Sequence, residues 1–240
     1  MNKNNIRKFF NDFSKSYNQK AFYNSKGLDY LNHIEIDFIK KCFNLQKIKN
    51  LMEIGFGAGR NLQLFKNKQI NLYGVDISEK MIKETEKNLR NEKINLKHLN
   101  AEDGLSYKDN FFDLILCIRV LKYMKKWPFV IKEISRTLKE ESYAILEVPN
   151  LFSIHFFGLP WANYFLFFIP DFIKELTKNK LQIIKIQKGA ILPFFLYKKI
   201  DNKRFLRSVT LFDKILNKLL PLGFISRNYL FLVKKINKQL

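Results

Sequence analysis

LMEIGFGAGRNLQLF, residues 51–65, closes a short apolar run on Glu53 and Ile54 and then sets glycine at every second position, Gly55, Gly57 and Gly59. Glycine reaches backbone conformations that other residues avoid, and without a Cβ it lets a ligand approach the main chain. The pattern predicts a strand at LMEI, a tight loop with free N–H groups, and a helix continuing from RNLQLF. A dinucleotide loop of the form G-x-G-x-x-G needs a glycine at position 60, and that position is Arg60. Glu53, two residues ahead of the first glycine, repels a pyrophosphate and attracts an ammonium group.

Working downstream, INLYGVDI (70–77) reads as the next strand and SEKMIKETEKNLRN (78–91) as the next helix, with Ser78 as N-cap and Glu79 favouring the dipole. INLKHLNAED (94–103) is a third strand running into an acidic loop. FFDLILCI (111–118) is a continuous apolar run, as in a strand buried on both faces of a parallel sheet. FVIKEISRTL (129–138) is an amphipathic helix and SYAILEVPN (142–150) a fifth strand. Strands alternating with helices of this length predict an α/β chain built on a parallel sheet.

The flanks differ from this core. Residues 1–47 read as a helical cap with aromatic anchors, in which Ile34, Ile36, Phe38, Ile39 and Phe43 form a stripe. Residues 148–170 contain no formal charge, but Pro149, Pro160, Pro170, Asn150, Asn163 and His155 argue against a membrane span. A lid or an interfacial element fits better. DFIKELTKNKLQIIKIQ then gives a helix and a strand. KRFLRSVTLFDKILNKLL (203–220) is a basic amphipathic helix with Phe205, Val209, Phe212, Ile215 and Leu219 on one face, and YLFLVKKI is a last strand.

The 240 residues carry a formal charge of +21, distributed unevenly: residues 101–173 have eight Lys/Arg against nine Asp/Glu, residues 174–240 sixteen against three. Such a tail attracts anionic lipid, nucleic acid or anionic substrates, or is simply a solvated lysine face. Two distant cysteines, Cys42 and Cys117, offer neither a disulfide framework nor metal-ligand spacing. With no long apolar stretch in MNKNNIRKFFNDF, the expected compartment is cytoplasmic.

Strand tips supply further candidate ligands. Asp76, at the end of LYGVDIS, suits both hydroxyls of a ribose or a helix cap. In NAED (100–103), Asn100 or Glu102 suits an adenine amino group and the Ala101 amide a ring nitrogen. Cys117 and Ile118 end the fourth strand, beside the first. The series EIGFGAGRNL, GVDISEKMI, NAEDGLSYKDNFFDLILC and VIKEISRTLKEESYAILEVPN, spanning about residues 48–150, resembles class I S-adenosylmethionine-dependent methyltransferases.

The resemblance implies a Rossmann-like sheet of seven strands with the last antiparallel and helices on both faces, followed by lid insertions, a helix and strands over 151–240. It implies S-adenosylmethionine as cofactor: Glu53 and Gly55, Gly57 and Gly59 at its methionine part, Asp76 at the ribose, Ile77 and Met81 along the adenine, Asn100 or Glu102 with Ala101 at the adenine edge, and the Cys117 carbonyl at the ammonium. Two departures stand out, Asn100 where an Asp is common and KEES (139–142) where a Gly-Gly turn is common.

Methyl transfer from a sulfonium is a direct displacement, so alignment and exclusion of water dominate. His155 is the candidate base, or simply a packed histidine; Tyr17 and Tyr23 are candidate pocket walls; Lys122 and Tyr123 stand where many relatives carry a histidine. The expected acceptor is a small molecule or glycan. The alternatives are a lipid-linked or isoprenoid acceptor at an anionic membrane contacted through 203–220, RNA on charge alone, or a non-catalytic cofactor-binding module.

Overall fold

The apolar run FDLILC forms a strand whose six residues are all buried, and the sheet is organised around it. A computed structural model describes residues 3–43, 47–90, 92–153, 165–219 and 225–237. In chain order its helices are α1 (Lys3–Phe13), α2 (Lys26–Phe43), α3 (Glu79–Asn88), α4 (Trp127–Thr137), α5 (Ile169–Lys178), α6 (Phe194–Lys198) and α7 (Lys203–Leu219). Its strands are β1 (Asn50–Ile54), β2 (Asn71–Asp76), β3 (Ile94–His98), β4 (Phe112–Cys117), β5 (Leu138–Pro149), β6 (Leu181–Lys188) and β7 (Asn228–Lys235).

The strands form one sheet in the order β3-β2-β1-β4-β5-β7-β6. β7 runs antiparallel to both neighbours and the other pairs are parallel. The order of the strands reverses between β1 and β4, which opens a crevice beyond their C-terminal ends, where open α/β sheets bind ligands.

Side-chain alternation divides the core into two layers. Met52, Ile54, Ile115, Cys117, Ala144 and Leu146 face α4 and α5, meeting Val130, Ile134, Phe172 and Leu176. Leu51, Leu72, Leu114, Leu116 and Ile145 face the other way, toward Phe38 and Ile39 of α2 and toward Leu62 and Phe65. Each such Leu, Ile, Val, Met or Phe side chain contributes about 1.5–3 kcal/mol of burial.

Two elements depart from the sequence pattern, and the closed fold alone fixes the setting of a third. The segment after the glycine loop makes only a 3-10 turn, Leu62–Phe65. Leu62 and Phe65 both enter the core, and a 3-10 turn brings side chains three apart onto one line. β5 begins earlier than SYAILEVPN suggests, because Leu138 already pairs with Phe112 ahead of a register shift, and Glu141 takes a φ of +64°.

The third element is α7, whose roll the sequence pattern leaves open. Of the five residues read as one apolar face, only Val209 is partly buried; Phe205, Phe212, Ile215 and Leu219 lie in solvent, and the buried residue of the helix is Asp213. Among the described residues, no helix is long and apolar enough to cross a membrane.

Candidate functional site

The glycine loop leaves β1 with Gly55 donating its N–H to the Val75 carbonyl at 2.8 Å. Gly55 and Gly57 take φ of +67° and +55°, a region costly for residues with a Cβ. A Cβ on Gly55 would also meet Val120 at 2.4 Å, so the loop sits tight against the segment after β4. Gly57 donates its N–H to Asp76 Oδ2 at 2.9 Å, while Asp76 Oδ1 accepts from the Ser78 amide at 2.8 Å. From α3, the Thr85 hydroxyl donates to the Gly57 carbonyl at 2.9 Å. Gly59 packs on the same threonine, where a Cβ would come within 2.8 Å. One carboxylate and one hydroxyl therefore set the shape of the loop.

Two buried acids flank it. Glu53 is 1% exposed; its Oε1 accepts from the Asn61 amide nitrogen at 2.6 Å, and its Oε2 has no partner. Burial pushes its carboxyl up to about 8. Burial also raises Asp76, to about 6, against the pull of the Ser78 and Gly57 amides.

Above the loop lies a cavity with about 700 Å³ of empty space, open solvent included. Gly55, Gly57, Asp76 and Ile77 line one side and Asn100, Ala101 and Glu102 another. Ile118, Arg119, Val120 and Tyr123 form the wall after β4. Ile6, Phe10 and Tyr17 cover it from the N-terminal segment. Asn100 Oδ1 accepts from the Glu102 amide at 3.1 Å, and Glu102 Oε1 from the Lys126 amide at 2.7 Å, so this turn is held by its own side chains. Glu53, Gly59, Met81 and Cys117 are buried or packed away from the lining; Met81 donates its amide to the Ser78 hydroxyl at 3.2 Å as the first turn of α3.

Residues 52–146 match the profile of a family described as "Methyltransferase domain". The stretch from β1 into β5 is thus similar to a methyltransferase domain. It is 25% identical over 218 residues to a ubiquinone biosynthesis O-methyltransferase of Pelagibacter ubique, covering 85% of this chain and 89% of that one. To a demethylmenaquinone methyltransferase of Staphylococcus aureus it is 25% identical over 203 residues, covering 79% and 78%. Its fold matches that of magnesium protoporphyrin IX methyltransferase from Synechocystis PCC 6803, solved with bound SAH, at a TM-score of 0.67 and 14% identity over 98% and 100% of the two chains.

Helix α1 closes over the cavity. Lys3 pairs with Asp103 at 2.9 Å, and the Ser78 hydroxyl donates to Asn11 Oδ1 at 2.7 Å. The Phe10 ring stands edge-on to Tyr123 and Tyr17, at 5.4 and 6.0 Å. Tyr17 thus reaches the cavity, whereas Tyr23 is exposed. Asp113 serves the sheet: its Oδ2 accepts from the Lys49 and Asn50 amides and its Oδ1 pairs with Lys139 at 2.6 Å. Burial lowers the Lys122 ammonium to about 8. His155 lies outside the described residues.

Sequence reading missed a buried ionic knot beside this cavity. Glu35 of α2 pairs with Arg60 at 3.0 Å and with Arg119 at 2.8 Å. Arg60 also donates to the Asn32 side chain. The guanidinium carbons of Arg60 and Arg119 stand 4.2 and 4.6 Å from the centre of the Phe22 ring. Arg119 has a φ of +60°, and its amide donates to Glu147 Oε2 at 2.8 Å. Burial alone would raise the Glu35 carboxyl; Arg119 and Arg60 outweigh it and hold it low. The knot ties the helical cap to the glycine loop and to the tip of β4. One signal was present: Glu35 interrupts the apolar stripe between Ile34 and Ile36, and a buried acid needs a cation.

Proposed function

We propose that the cavity over the glycine loop holds S-adenosylmethionine and that the methyl acceptor is a small apolar molecule admitted beneath α1. The observation that carries the cofactor half is the partnerless Oε2 of buried Glu53 at the root of a loop whose other end is gripped by Asp76. A buried carboxyl oxygen left unpaired is costly, and an ammonium group in the cavity at Gly55, two residues along from Glu53, lowers that cost by attraction through the loop. Asp76 retains acceptor capacity for a ribose diol, since a carboxylate accommodates about four hydrogen bonds and Gly57 and Ser78 take two. Ile77 and Ala101 suit the faces of an adenine, and Asn100 and Glu102 its edge. Gly59, Met81 and Cys117 hold these groups in place from behind.

The bound cofactor supplies a methyl group on a sulfonium, open to direct displacement. What the chain does is align the acceptor and exclude water. The lid of α1 serves the second task, and the Phe10, Tyr17 and Tyr123 rings offer the acceptor an apolar wall. That wall favours a flat apolar molecule over a glycan, and the quinone-pathway names of two relatives lean the same way.

Calorimetry with S-adenosylhomocysteine tests the cofactor site; folded protein that releases no binding heat overturns it. Release of S-adenosylhomocysteine in a panel of phenols, hydroquinones and oligosaccharides tests the acceptor class. Turnover confined to the sugars overturns the apolar reading.

A further inference from the structure

We propose that α7 seats the enzyme on an anionic lipid surface, at the edge of the sheet that carries the cavity. The roll of this helix makes the case. Asp213 is 3% exposed and accepts from the Ile191 and Leu192 amides, each at 2.8 Å. Asn217 donates to the Gly189 carbonyl at 3.2 Å, and Leu206 and Val209 join the small core of Leu31, Ala190 and Tyr197. Successive helical residues point about 100° apart, so fixing Asp213 inward turns Phe212 away from the protein. Phe205, Leu211, Phe212, Ile215 and Leu219 are 44–72% exposed as a result.

Charge decides what covers them. α7 carries Lys203, Arg204, Arg207, Lys214 and Lys218, all exposed, against Asp213 as its single acid. That acid is turned inward onto two backbone amides. Among the described residues none of the five cations is in an ion pair. Lys203, Arg207, Lys214 and Lys218 follow one another at helical spacing along a strip beside the apolar stripe. An apolar stripe and a basic strip that both face outward match an anionic bilayer interface, where apolar side chains enter the acyl boundary and cations meet phosphate. A second copy of this chain would set five cations against five cations.

The helix also stands in the right place. Gly189 donates to the Asn228 carbonyl, Arg227 to Ala190, and Asn150, just past β5, to Arg227. The insertion holding α6 and α7 is thereby rooted at the C-terminal ends of β5 and β6, on the crevice side of the sheet. An apolar acceptor dissolved in the bilayer is presented to that same side. The docking claim itself does not depend on which acceptor is used.

Flotation of the full-length protein with phosphatidylcholine vesicles, with and without phosphatidylglycerol, tests this. Protein should rise with the anionic vesicles and remain below with the neutral ones. Lys203→Gln with Arg207→Gln should weaken partitioning about 25-fold, at about fivefold per cation. Phe212→Ser with Leu219→Ser should abolish it, with S-adenosylhomocysteine binding unchanged as proof of folding. Protein that stays at the bottom with anionic vesicles overturns the proposal. So does a wild-type dimer in sedimentation that the Phe212→Ser, Leu219→Ser variant dissociates, because the stripe then belongs to a second copy.

Discussion

The glycine-loop end of the sheet and the α6–α7 insertion handle polar and apolar groups in opposite ways. Around the loop, acids go inward and each is assigned work: Asp76 grips Gly57, Glu53 binds Asn61, and Glu35 locks two arginines. Every large apolar residue of β1 and β4 is covered. In the insertion, one acid goes inward and the apolar stripe is left outside. The difference teaches that a helix's apolar stripe shows where it wants to be covered, and not what covers it.

The largest effect should come from the knot. Glu35→Ala leaves two guanidiniums buried without their carboxylate, a loss of about 3–5 kcal/mol that calorimetric melting should register as a fall of about 10 °C. Phe172→Ala in α5 and Phe212→Ala in α7 put the comparison directly. The first, fully buried, should cost about 3–5 kcal/mol, and the second, on the exposed stripe, about 0.5 kcal/mol or less, both by denaturant titration. Equal losses would mean the stripe is covered within the protein.

Asp76→Ala removes a charged acceptor from two loop amides and from the ribose site, and calorimetry should show cofactor affinity reduced about 100-fold. The smallest effect is on pH. Folded Glu53 keeps its proton up to about 8 against an ordinary value of 4.5. Between those values the folded state holds more protons than the unfolded chain, so the free enzyme loses stability as pH rises through that window. An ammonium brought beside Glu53 expels the proton. Cofactor binding at pH 7 should therefore release close to one proton, read as binding heats that vary with buffer ionisation enthalpy, and affinity should rise at most about tenfold per pH unit.

Much of this was legible in the sequence, and what was not has a common cause. Continuous runs such as FDLILC and the spacing from Glu53 to Asp76 are local, so strands and loop partners could be read from a few neighbours. The knot joins residues 35, 60 and 119, and only the closed fold shows that they meet. The turn at Leu62–Phe65 was misread as a helix because apolar residues three apart serve either form. The roll of α7 depended on Asp213, whose two amide partners lie some twenty residues upstream. His155 and its neighbours remain a sequence expectation.

Asp213 works as a keel. It fixes the attitude of a helix whose composition would otherwise let it capsize, bury its oily side and behave as an ordinary piece of core. Replacing this single side chain with leucine removes the ballast. Such a variant would leave the Ile191 and Leu192 amides without their acceptor and free the helix to turn its apolar face inward, so one residue sets both the anchoring of the insertion and what its helix shows to the outside.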